Sequence, residues 1–95
     1  MNRPKTRQVK AQLFLRCGRV DMYSMKRCKK EKLTLHHDPP FSQTKHTVYE
    51  ESYLLSSDTH TELHRIEQED NDEYNRRMGI IKSNKRTLER RRDRR

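Results

Sequence analysis

Four of the chain's five histidines fall in two tight pairs: His36 and His37 in "LTLHHDPPFS", and His60 and His64 in "HTELH". Imidazole both ligates transition metals and exchanges a proton near neutral pH. The two spacings therefore ask for different geometries. On a strand, neighbouring side chains point to opposite faces, so His36 and His37 cannot both turn inward. On a helix, positions i and i+4 share a face, so His60 and His64 can reach one ion together. A strand end that adds His36 or His37 completes a set of three imidazoles. Such a set leaves one coordination position for water or a phosphate oxygen, as a catalytic site needs and a structural site lacks. The other histidine of the adjacent pair stays unliganded and can take a proton from water.

Other uses of these residues are weaker. "HTELH" differs from the zinc-protease helix, where the glutamate directly follows the first histidine; Glu62 comes two places after His60. Histidines scattered on a surface would not be expected in two pairs joined by one loop and one apolar segment. Cys17 and Cys28 are too far apart for a CxxC pair and too few for a disulfide framework or a four-thiolate site. They read as small buried thiols, with a structural zinc held by Cys17, Cys28 and His46 as the lesser alternative.

The elements that must position the histidines follow from periodicity. Residues 4–17 read as a helix: Pro4 suits its first turn, Val9, Leu13 and Cys17 share a face, and Gly18 can end it. "RVDMYSMKR" is ambiguous. "KLTLHH" alternates as a short strand with His37 on the side of Leu33 and Leu35, and Pro39 and Pro40 end it. "FSQTKHT" reads as a polar loop, and "VYEESYLL" as a second strand or an irregular segment leading into one. "SSDTHTELHRIEQ" carries a helix start, with Ser57, Asp58 or Thr59 as cap and Thr59-x-x-Glu62 as a capping box. Tyr74, Met78, Ile81 and Leu88 keep helical spacing, so a further helix either continues the preceding one or breaks from it near Asn71. The last ten residues are open to disorder in isolation.

Only 28% of the 95 residues are apolar and 39% are charged. One small domain with a modest core is expected, helped by a metal, a partner or nucleic acid. Charge is segregated: residues 1–35 carry +9, residues 36–75 carry −8 and residues 76–95 carry +8. Two basic arms thus flank an acidic, histidine-bearing centre, a distribution that points to a polyanion. No apolar run approaches the ~20 residues of a membrane span. The basic start lacks the apolar core of a secretory signal, and the sparse cysteines suit a reducing cytoplasm.

These residues resemble a known family. "LTLHHDPPFSQ…VYEESYLLSSDTHTELHR", residues 33–65, is similar to the HNH (ββα-metal) endonuclease motif, closest to its form in colicin- and pyocin-type toxins. The chain's length is more like that of small stand-alone HNH proteins of phages and mobile elements. The resemblance implies an α+β fold, a ββα-metal core over residues 33–67 with a basic helical segment (1–32) before it and a C-terminal helix and basic tail (68–95) after it. It implies His36, His60 and His64 as ligands of one divalent metal (Mg, Mn, Zn, Ni or Co) and His37 as the general base. The family's middle asparagine, which orders the loop, is Glu51 here, a second candidate catalytic residue.

The function expected is hydrolysis of DNA phosphodiester bonds in the cytoplasm of a bacterial or phage-infected cell, with RNA as an open alternative substrate. Lys29, Lys30 and Lys32 on one arm and Arg76, Arg77, Lys85, Arg86, Arg90 and Arg91 on the other are expected to grip phosphates. The alternative is a catalytically weak or inactive module of the same fold that binds nucleic acid or a phage or mobile-element protein partner, as an assembly factor or inhibitor.

Overall fold

The computed structural model describes residues 6–38 and 48–93. The expectations for Pro4, Pro39, Pro40, the 41–47 loop and His46 lie outside these residues. Among the described residues the fold is a small α+β arrangement of three helices and one two-stranded antiparallel sheet.

Helix α1 (Thr6–Cys17) buries Val9, Leu13 and Cys17, the face its spacing predicted. Gly18 ends it at φ 88, donating its N–H to the Phe14 carbonyl at 2.9 Å. That left-handed conformation is open to glycine at no steric cost. The ambiguous segment that follows folds back on itself through a bridge between Val20 and Arg27. Its centre is Asp21, 2% exposed, whose carboxylate accepts the Tyr23 N–H at 2.8 Å, the Ser56 hydroxyl at 2.9 Å and the Thr59 hydroxyl at 2.6 Å. A buried carboxylate with that many donors is satisfied, and here it ties the loop to the start of the histidine-bearing helix.

Strand β1 (Leu33–His37) pairs with β2 (Ser52–Ser56), Leu33 opposite Ser56 and His37 opposite Ser52. "VYEESYLL" therefore divides into a single 3₁₀ turn, Tyr49–Glu51, and a strand. Ser52, Tyr53, Leu54 and Leu55 are all buried, because helices pack on both sides of the hairpin. The outer edge of β2 is covered as well: Leu54 accepts the Met22 N–H at 2.9 Å and points its own N–H at the Met22 sulfur.

Helix α2 (Ser57–Glu69) is capped by Ser56, whose hydroxyl accepts the Thr59 N–H at 3.3 Å. The expected cap lay one to three residues later. Asp21 decides the position, since it holds both Ser56 and Thr59 from across the fold. Asp70 then closes α2 through its N–H to Ile66 and opens α3 (Asn71–Asp93) by accepting the Glu73 N–H at 3.1 Å. The helices are separate, broken one residue before Asn71. Helix α3 runs through most of the segment expected to be open to disorder, and it buries Tyr74, Met78, Ile81, Lys85 and Leu88 against α1, α2 and β2. No helix among the described residues is long and apolar enough to cross a membrane.

Candidate metal centre

Opposed residues of an antiparallel pair share a face. Thr34, His36, Tyr53 and Leu55 therefore form one face of the hairpin, and Leu33, Leu35, His37, Ser52 and Leu54 the other. Helix α2 packs across both strands and brings His60 and His64 over the first face. The His36 ring centroid lies 5.4 Å from that of His60 and 5.5 Å from that of His64. One ligand nitrogen from each of the three lies within 4.8 Å of the others. His36 is buried, His60 half-buried and His64 exposed, so the cluster opens to solvent on one side.

Hydrogen-bond polarity assigns the tautomer of His60. The Thr34 hydroxyl donates to the Leu55 carbonyl at 3.1 Å, so it must accept from His60 Nδ1–H at 2.7 Å. His60 Nε2 then carries a lone pair toward the cluster. His36 Nε2 meets the Tyr74 hydroxyl at 2.9 Å. His36 Nδ1 is left with nothing to meet; among the described residues it is the one buried side-chain nitrogen or oxygen without a partner. Leaving such an atom unpaired costs about 1–3 kcal/mol, and an ion would satisfy it.

His64 Nε2 stands 2.9 Å from His60 Nε2. Neighbouring nitrogens bound to one ion at about 2.0–2.1 Å are separated by about 3 Å, so this pair is already near ligand spacing. His64 Nδ1 faces the Glu67 carboxylate at 3.7 Å, the side to which its proton would move when Nε2 turns to an ion.

Protonation favours the same use. Burial, followed by the neighbouring His60 and His64, lowers the pKa of His36 from 6.5 to about 4. Burial first, then His64 and His37, lowers that of His60. These two rings are neutral at pH 7, the state a ligand requires.

The remaining site expectations fare unevenly. His37 sits on the opposite face at the end of β1, opposite Ser52, and burial lowers its pKa too. Glu51 contributes through its backbone: its carbonyl accepts the Asp38 N–H at 3.0 Å, joining the end of β1 to the turn before β2. Lys29, Lys30, Lys32, Arg76, Arg86, Arg90 and Arg91 are exposed. Arg76 is paired with Glu73, and Arg77 is half-buried, paired with Glu73 and laid over Tyr23 at 5.3 Å.

Lys85 is a correction. It is 6% exposed, and its ammonium donates to the Tyr49 carbonyl at 2.6 Å and the Ser52 carbonyl at 3.0 Å. It holds the turn that leads into β2 and cannot grip a phosphate. Its spacing from Ile81 and Leu88 on the buried stripe carried that signal.

Sequence reasoning also missed Thr34, Asp21 and the hydroxyl of Tyr74. Only Tyr74 was signalled, since a tyrosine on a buried stripe needs a partner for its hydroxyl. Compared with known proteins, the chain matches no family model, no curated protein and no solved structure.

Proposed function

We propose that the protein is a metal-dependent nuclease of the HNH (ββα-metal) type, hydrolysing phosphodiester bonds in DNA. The observation that carries this reading is the convergence of His36, His60 and His64, with His36 Nδ1 unpartnered and His60 Nε2 meeting only His64, at a cluster open to solvent on the His64 side. When bound there, a divalent ion supplies positive charge to the scissile phosphate and to the leaving oxygen. Imidazole ligands suit Zn, Ni, Co or Mn better than Mg. Tyr74 and Thr34 occupy the outer nitrogens of His36 and His60 and so orient both rings toward the ion. His37, on the far side of the same strand end and kept neutral by burial, is the group that takes the proton from the attacking water. The exposed Lys29, Lys30, Lys32, Arg86, Arg90 and Arg91 hold neighbouring phosphates.

A second reading has its own support. The Glu51 carbonyl, rather than its side chain, ties the loop, and an ionised carboxylate cannot donate as the family's asparagine does. A module that keeps the ion for folding and binds nucleic acid without cutting fits that arrangement.

Nicking of supercoiled plasmid separates the two. Wild type with Mn, Co, Ni, Zn or Mg is expected to nick, and EDTA or His37→Ala to stop it, the variant's fold being checked by circular dichroism. Absence of nicking with every metal selects the binding module, and full nicking by folded His37→Ala removes the proposed base. Replacing the plasmid with a structured RNA decides between DNA and RNA.

A further inference from the structure

A cavity lies at the other end of α3 from the histidines. It encloses about 520 Å³ where the end of α1, the 18–28 loop and the last turns of α3 meet, lined by Cys17, Val20, Met25 and Leu88 below and by Arg19, Arg27 and Arg91. Tyr74, which touches His36, and Leu88, which floors the cavity, are separated by about 21 Å of helix axis at 1.5 Å per residue. The cavity is therefore no part of the metal centre.

Two features set it apart. The first is uncompensated charge. Among the described residues none of Arg19, Arg27 and Arg91 has an acidic partner; other exposed basic residues share that state, but here three such guanidinium groups line one cavity. Three like charges around one concavity repel one another unless an anion joins them. Guanidinium groups also present the planar fork that matches phosphate oxygens. The second feature is strain. Met25, on the cavity floor, holds φ at 64, a left-handed conformation unusual for a long side chain. Such strain persists where the surroundings enforce it, and it gathers at binding sites.

We infer that this cavity is a phosphate subsite of the nucleic acid that the protein binds, distant from the cut, with Arg19, Arg27 and Arg91 gripping backbone phosphates. Its apolar floor accepts the less polar sugar edge. The inference rests on the nucleic-acid reading above, yet it is separable from catalysis, because no residue of the cavity belongs to the metal centre.

The test is the salt dependence of binding. A fluorescein-labelled 20-base-pair duplex would be titrated in EDTA, so that no ion bridges protein and phosphate, against wild type, Arg19→Gln/Arg27→Gln and the charge-matched control Arg7→Gln/Lys10→Gln. Each lost phosphate contact lowers the log–log salt slope by about 0.9, so the cavity variant is expected to lose about 1.8 in slope more than the control. Equal slopes in the two variants would overturn the inference. So would loss of polyglutamate binding by the cavity variant with DNA binding intact, which assigns the site to an acidic protein partner. If wild type fails to nick with any of the metals while the slope still falls, catalysis fails as a reading and the subsite stands.

Discussion

Helix α3 builds two polar clusters against the hairpin, and they differ in how completely their groups are satisfied. Toward its C-terminal end, the Lys85 ammonium meets two backbone carbonyls and the faces of Tyr49 and Tyr53, at 4.3 and 4.8 Å, while the Tyr49 hydroxyl donates to Glu89. Near its start, Tyr74 and Thr34 hold His36 and His60, whose inward nitrogens meet nothing and only His64, respectively. The first cluster is complete without a ligand and acts as a brace. The second is satisfied everywhere except at the point where three rings converge, and that pattern of omission distinguishes a site from a support.

The comparison breaks first at the ligands. Removing a ring that closes the site, as in His60→Ala, is expected to weaken divalent-ion binding at least 100-fold by calorimetry while the metal-free fold persists; unaltered affinity would move the site elsewhere.

The metal-free protein should also be acid-sensitive. The folded-state pKa of His36 is depressed from 6.5 to about 4, so the unfolded chain binds the extra proton in that window. Stability is then full above about pH 6.5 and falls as pH drops toward 4, by on the order of 3 kcal/mol from this group. Urea unfolding in EDTA at pH 7 and pH 4.5 checks this, and saturating metal should steepen the loss, because protons compete for the same nitrogens.

At the brace, Lys85→Met keeps the aliphatic stem and strands two carbonyls, which is expected to cost about 2 kcal/mol in stability and to leave intrinsic ion affinity unchanged. Smaller still, Tyr74→Phe leaves His36 free to turn and should weaken ion binding about 10-fold. Removal of the α2 cap by Ser56→Ala should cost about 1 kcal/mol without a specific effect on the metal.

Much of this was legible in the residues. Alternation in "KLTLHH" gave β1 and the opposite facing of His36 and His37, and the four-residue spacing of His60 and His64 placed both over one face. The i, i+3, i+4 stripe from Tyr74 to Leu88 marked the buried side of α3. What escaped was decided by contacts across the fold. Asp21 reaches 35 positions along the chain to select Ser56 as cap. The partners of the Thr34 and Tyr74 hydroxyls exist only once the hairpin and helices have packed. Lys85 misled because its charge was read as an address to solvent, although its place on the apolar stripe argued for burial.

The central claim concerns one ion and three rings, and cobalt reads it most directly. EDTA-stripped protein titrated with Co(II) should develop visible d–d bands that saturate at one equivalent, and His36→Ala and His64→Ala should each abolish the tight phase. Bands that fail to saturate, or that persist in both variants, would show that the imidazoles do not share an ion.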